Sequence, residues 1–239
     1  MSRPPKTLSR RRLLLTGGAI AGATAAFGLM PRAFAGAGTE AGPGAESVRR
    51  LTLKNLHTPD VLDVVYRRGD QYVPEALAQV EVVLRDYRTG DRHPIDPHLL
   101  DILYEVAQSI GVDPVFSVIS GYRSPQTNAL LHERSAGVAS HSLHMEGRAI
   151  DVRLTQVNCA DLADKALGMQ RGGVGYYPTS GSPFVHMDVG NVRHWPRMTR
   201  EQLVRVFPDG RTVHIPSDGR PERLADMHHH GRWLNWWPR

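Results

Sequence analysis

Three residues of this 239-residue chain, His144, Asp151 and His186, are of the types that together bind zinc. Two imidazoles and one carboxylate supply three protein ligands and leave the fourth tetrahedral position open to water, as metal catalysis requires. Their neighbours give each a direction. Ile150 and Val152 are apolar and belong to a core face, so in an alternating strand Asp151 must face the other way, together with Arg153. Within Phe184–Val189, the residues Phe184, His186 and Asp188 share one face, and Val185, Met187 and Val189 the other. Small Gly147 and Ala149 let the backbone between His144 and Asp151 pass close to a shared ligand. The chain holds 12 histidines, however, and most His/Asp coincidences in such a chain are surface polar residues. Spacing by itself leaves both a metal site and that plainer reading open.

The elements that position these residues follow from periodicity and punctuation. A short strand is predicted over Arg50–Leu56, then a turn at Thr58-Pro59 and a helix or short strand over Val61–Tyr66. Apolar residues at helical spacing predict helices over Pro74–Asp86 and Pro97–Ile110, the second ending at Gly111. Val115–Ser120 is a β-rich run stopped by Gly121, and Ser124-Pro125 opens another helix to about Glu133. Ala149–Leu154 and Phe184–Val189 alternate as strands do, with a helix near Cys159–Gly168 between them. Val204–Ile215 is predicted as a hairpin turning at Asp209-Gly210. Helices first and clustered strands after point to an α+β fold rather than repeated βαβ units. No internal repeat is present.

The pattern Ser-x-His-x-x-Gly-x-Ala-x-Asp from Ser142 to Asp151, followed by His-x-Asp at His186–Asp188, has Ser120-Gly121-Tyr122-Arg123-Ser124-Pro125 upstream of it. It resembles the zinc D-Ala-D-Ala carboxypeptidase and murein endopeptidase superfamily, and within it the exported murein endopeptidase K type. The similarity runs from about Leu51 to Trp195. It includes Leu56-His57-Thr58, Arg85-Asp86-Tyr87-Arg88, Gly172-Gly173-Val174-Gly175-Tyr176-Tyr177 and Phe184-Val185-His186-Met187-Asp188. The resemblance implies a DD-peptidase/hedgehog-like α+β fold, with a small antiparallel sheet carrying one zinc ion and packed with N-terminal helices. It implies peptidoglycan stem peptides as substrate and matches His144, Asp151 and His186 to the zinc ligands one by one.

Arg123 matches the superfamily's arginine near the scissile bond. A guanidinium keeps its charge and bonds two oxygens at once, so Arg123 could hold a substrate carboxylate or stabilise an oxyanion. The alternative is an arginine that caps the Val115–Ser120 turn through a surface ion pair. The general base does not carry over. Branches of the superfamily place a Glu three residues, or a His two residues, before the last ligand, and Pro183 and Phe184 stand there. Asp188 is the remaining candidate: a base for the attacking water, or a residue that fixes an imidazole. His141 is a weaker one. Tyr176 either lines the substrate pocket or packs under the Gly172–Gly175 loop.

Residues 1–35 read as a signal peptide. Arg10-Arg11-Arg12 precedes an uncharged apolar run, Leu13–Met30, and an A-x-A cleavage pattern ends at Ala35, which favours the twin-arginine route. The segment carries six of the 29 basic residues and none of the 24 acidic ones, leaving 23 against 24, so the charge gives no reason to propose a nucleic-acid partner. Residues 36–46 read as a flexible Gly/Ala/Pro linker, 47–200 as the zinc peptidase domain, and 201–239 as a C-terminal hairpin and basic tail. That tail holds His228-His229-His230, expected to be solvated, and Trp233, Trp236 and Trp237, expected to dock on the domain. Cys159 is the only cysteine, so no internal disulfide forms. The expected protein is a periplasmic zinc metallopeptidase, endopeptidase or carboxypeptidase, monomeric and without a stable membrane anchor after cleavage. The alternatives are a non-catalytic zinc-containing peptidoglycan-binding module and a closed, purely structural metal site.

Overall fold

Capping and alternation in the sequence set most of the element boundaries. The computed structural model of the protein describes residues 47–135 and 138–219. The signal segment, the linker, the three consecutive histidines and the terminal tryptophans lie outside the described residues. Strands β1 (Val48–Asn55), β2 (Val61–Arg68) and β3 (Gln71–Tyr72) come first, followed by helices α1 (Pro74–Val83) and α2 (Pro97–Ile110). Then follow β4 (Val115–Ser120), α3 (Pro125–Arg134), a 3-10 turn (Leu143–Glu146), β5 (Ala149–Leu154) and α4 (Cys159–Met169). Strands β6 (Gly173–Tyr177), β7 (Phe184–Asp188) and β8 (Arg193–Trp195) and helix α5 (Arg200–Val206) complete the described fold.

The caps follow the residues that the sequence supplies. Asp96 accepts from the His98 N–H ahead of α2, whose far end stops at Gly111 in the left-handed conformation, φ 83°. Ser124 caps α3 by accepting from the Thr127 N–H, and Asn158 caps α4 by accepting from the Asp161 N–H.

The small antiparallel sheet is corrected to one eight-stranded mixed sheet in the order β3-β2-β1-β4-β5-β7-β6-β8. β1 runs parallel to β4, and β6 parallel to β8, while the other pairs are antiparallel. The sheet is larger than expected because Val61–Tyr66, open by sequence to helix or short strand, lies in β2, which pairs with β1. Strands, not helices, therefore lead the domain. The hairpin expected over Val204–Ile215 is also corrected. Thr199 and Gln202 form a capping box that starts α5, and Leu203 and Phe207 bury their side chains in the core.

Registry decides which residues share a face. Ile150 pairs with Met187, Val152 with Val185, Val174 with Met187, and Tyr176 with Val185, so these residues form one apolar face. Leu99, Leu103 and Val106 of α2 and Leu162, Ala163 and Ala166 of α4 belong to the same buried cluster. On the opposite face Asp151 pairs with His186 and His186 with Gly175, while Ala149 pairs with Asp188. No helix among the described residues is long and apolar enough to cross a membrane.

Candidate metal centre

Asp151 and His186 are direct cross-strand partners at the middle of the sheet, which sets their side chains close together on one face. His144 reaches the same point from the 3-10 turn, where Ser142 caps the turn by accepting from the His144 N–H. Gly147 ends the turn with φ 64°, and a Cβ there would lie 2.0 Å from the Pro94 carbonyl oxygen. This glycine is required by the turn and by the neighbouring chain, a reason different from the close approach to a ligand expected of it.

Ligand atoms of His144, Asp151 and His186 all lie within 4.8 Å of one another. His186 Nδ1 is 2.8 Å from Asp151 Oδ1 and 3.2 Å from His144 Nε2, and His144 Nε2 is 3.3 Å from Asp151 Oδ1. The residues are 8%, 3% and 1% exposed for His186, Asp151 and His144, so the cluster is buried. Each imidazole is held by its far nitrogen. The carbonyl of Gly121 accepts from His144 Nδ1 at 2.7 Å, which leaves the Nε2 lone pair turned into the cluster. Asp188 Oδ2 lies 3.1 Å from His186 Nε2, which leaves Nδ1 for the cluster. Two nitrogen lone pairs and a carboxylate oxygen therefore converge, with their outer atoms tied down, and this donor set fits a divalent zinc-like cation.

The electrostatics follow from burial and proximity. Burial pushes the His144 imidazole down from its ordinary value. Burial alone would raise the Asp151 carboxyl, but the adjacent rings of His144 and His186 hold it well below the usual carboxylate range. For His186 burial is outweighed by hydrogen bonds to Asp151 and Asp188, and its value is raised.

Asp188 is 1% exposed and surrounded by donors. Its Oδ1 accepts from the Gly173 and Gly190 N–H groups at 3.0 and 2.8 Å and from Arg193 Nη1 at 3.0 Å. Its Oδ2 accepts from Arg193 Nη2 at 2.7 Å and faces His186. Burial opposes ionisation here, yet His186, the Gly190 N–H and Arg193 bring the carboxyl down to about 2. Asp188 thus sits behind the His186 ring, on the side away from the convergent lone pairs.

Arg123 is brought to the site as expected. Its Nη2 donates to Asp151 Oδ2, its Nε donates to Ser120 Oγ at 2.9 Å, and its backbone N–H donates to the His144 carbonyl at 3.1 Å. Ser120 pairs with Asp151 across β4 and β5, next to a register shift after Val118. His141 is exposed and makes none of the hydrogen bonds described for the cluster.

Tyr176 is not brought to this face. It pairs with Val185 on the apolar side, is 9% exposed, and belongs to the core beside α4. The tyrosine on the metal face is Tyr177, whose cross-strand partner is Phe184 and whose ring stacks on Phe184 at 4.6 Å. Trp195 of β8 lies over Gly175, where a Cβ would meet the indole at 2.5 Å, and its ring is 5.0 Å from His186. Tyr177, Trp195 and Arg193 were not foreseen. The alternation Val174, Tyr176 against Gly175, Tyr177 held the signal for Tyr177, since Val174 marks the core face; the parallel pairing that brings Trp195 over Gly175 has no local signal.

The fold and site define an α+β domain with a buried two-histidine, one-aspartate cluster suited to a metal ion. The chain belongs to the peptidoglycan L,D-endopeptidase MepK family, whose model matches residues 43–195. It is 41% identical over 188 residues to the peptidoglycan L,D-endopeptidase MepK of Escherichia coli strain K12, covering 78% of this chain and 97% of that protein. It is 38% identical over 148 residues to a probable peptidoglycan L,D-endopeptidase MepK of Haemophilus influenzae, covering 62% of this chain and 78% of that protein. No solved structure matches.

Proposed function

We propose that this protein is an exported, zinc-dependent endopeptidase that cuts L,D cross-links between peptidoglycan stem peptides. The observation that carries the reading is the convergence of His144 Nε2, Asp151 Oδ1 and His186 Nδ1, with each imidazole's other nitrogen engaged elsewhere. The L,D specificity comes from the names of the relatives, which describe endopeptidases, so the carboxypeptidase alternative is set aside.

A zinc ion held by the three residues would supply Lewis acidity, polarising a peptide carbonyl and making water a usable nucleophile near neutral pH. The chain's own residues do the rest. Gly121 and Asp188 fix the two imidazoles in the tautomers that face the ion. Of the two roles open to Asp188, orientation of His186 is the one its position behind the ring supports. Arg123 holds the outer oxygen of Asp151, so that Oδ1 stays turned to the metal, and its remaining N–H groups serve a substrate oxygen. The twin-arginine signal delivers the protein to the periplasm, where it acts after cleavage before Gly36.

Digestion of purified peptidoglycan by the zinc-loaded protein, with new ends identified by mass spectrometry, tests the reading. Cleaved L,D cross-links, lost with chelator and regained with zinc, are expected. A zinc-loaded protein that releases no peptide ends but stays on the wall would leave the binding module in its place.

A further inference from the structure

On the face that carries Asp151 and His186, Tyr177 Oη is set up as a hydrogen-bond donor with no acceptor among the described residues. Trp195 Nε1 lies 2.5 Å from Tyr177 Oη. An indole N–H only donates, so the phenol oxygen must accept, and its own O–H is directed elsewhere. Among the described residues no hydrogen bond donated by Tyr177 Oη is found. The ring is fixed on both sides of this contact: Phe184 stacks on it at 4.6 Å, and the Trp195 ring that holds its oxygen lies 5.0 Å from His186. Trp195 reaches this place only because Gly175 lacks a side chain. Burial pushes the Tyr177 hydroxyl up from its ordinary value, and so does the nearby Asp151 carboxylate, which keeps the group protonated across the working range.

Tyr177 adds a neutral donor beside the charged one that Arg123 offers. Arg123 spends Nη2 on Asp151 and Nε on Ser120, which leaves Nη1 for a substrate oxygen, while Asp188 is closed off behind His186. We infer that Tyr177 is a further catalytic residue, whose hydroxyl donates a hydrogen bond to the oxygen of the scissile peptide carbonyl, with Trp195 as the residue that positions it. As water adds, the carbonyl oxygen gains negative charge, so a neutral donor polarised by an accepted hydrogen bond strengthens there most. No proton leaves Tyr177 in this step. The inference rests on the peptidase reading above.

The test uses the full mature chain, zinc-loaded, with three variants: Tyr177→Phe, Trp195→Phe and the double change. Tyr177→Phe keeps the stack on Phe184 and removes only the hydroxyl. It should keep the zinc content and KM for an L,D-linked peptide dimer while kcat falls about 10²-fold, the usual scale for one such donor. Trp195→Phe should lower kcat less, and the double variant should be no slower than Tyr177→Phe, because the indole acts through the hydroxyl. A readout apart from turnover is the indole Nε1–H resonance of Trp195, identified by its loss in Trp195→Phe, which should shift upfield in Tyr177→Phe. If Tyr177→Phe retains kcat within threefold of the parent, or the double variant falls by the product of the single effects, the inference is overturned while the peptidase reading stands. An inactive parent protein overturns both.

Discussion

Two buried polar clusters stand on different strands of this sheet, one at its edge and one near its middle, and they are built in opposite ways. At the β1–β2–β3 end, Asp101 of α2 is 3% exposed, and its two oxygens are covered by donors. Oδ1 accepts from Arg49 Nη1 at 2.9 Å and Tyr66 Oη at 3.0 Å, while Oδ2 accepts from Arg67 Nη1 at 3.1 Å and Tyr72 Oη at 2.6 Å. Acceptors there meet donors, charge meets charge, and the group is complete without a ligand. Near the middle of the sheet, on β5 and β7, the arrangement is inverted. His144 and His186 are tied from outside, and the atoms turned inward are three bearers of lone pairs within 4.8 Å. A proton is the only partner that His186 Nδ1 and Asp151 Oδ1 can share between themselves, and a divalent cation would serve all three atoms at once. Burial and charge are common to both clusters, so neither marks function; what separates them is whether the protein supplies the missing partner.

The comparison breaks most visibly if the ligands are altered. His144→Ala should abolish zinc binding and muropeptide release together, measured by elemental analysis and mass spectrometry, while the fold persists by circular dichroism. Asp101→Ala should do the reverse. Removing that carboxylate strands two guanidinium groups and should cost roughly 3–5 kcal/mol of stability in urea denaturation, at full zinc content in the folded fraction. A variant of Asp101 that loses metal at unchanged stability would show that the two clusters are not separate devices.

A smaller effect sharpens the role of Asp188. Asp188→Asn should weaken zinc roughly 10–100-fold, with turnover largely restored by added zinc, as expected of a residue that orients a ligand. Full zinc affinity with turnover reduced roughly 10²–10⁴-fold would instead make Asp188 the general base. The smallest effect lies away from both clusters. His194 and His214 are buried together, His194 Nδ1 lies 3.1 Å from His214 Nδ1, and His194 Nε2 accepts from the Met198 N–H at 3.0 Å. Burial, with His214 beside it, pushes His194 from 6.5 down to about 4. The unfolded chain then takes up this proton at a higher pH than the folded one, so stability is complete above about pH 6.5 and falls as pH drops toward 4. His194→Gln should flatten that part of the curve in pH-dependent thermal unfolding.

Much of the metal face was legible because strand alternation is a local property. Ile150, Val152, Val185 and Met187 named the core face, and Asp151 and His186 followed by parity. His144 followed from the motif, with Ser142 and Gly147 as its cap and stop. What failed depended on pairing between distant segments. Val61–Arg68 became a strand because β1 offered an open edge, and that widened the sheet beyond the small one expected. Of the two places open to Tyr176, pocket lining and packing, Val174 already pointed to the core side, where the ring packs. Val204–Ile215 carried a turn signal at Asp209-Gly210, but the capping box at Thr199 and Gln202 starts a helix that carries Val204 out of any hairpin. Gly210 still turns the chain, with φ 68°, after a helix instead of between strands. Asp188 was read in two ways because a strand's parity tells which face a carboxylate occupies, not which side of a neighbouring ring it touches.

The inward-facing cluster is built to hold a metal ion, and the Asp101 cluster is not. X-ray diffraction from crystals of the zinc-loaded mature protein, collected on both sides of the zinc absorption edge, measures this most directly. One anomalous peak per chain is expected within bonding distance of His144 Nε2, Asp151 Oδ1 and His186 Nδ1, with no fourth protein ligand. A peak elsewhere, none at all, or one closed by a fourth side chain would contradict it.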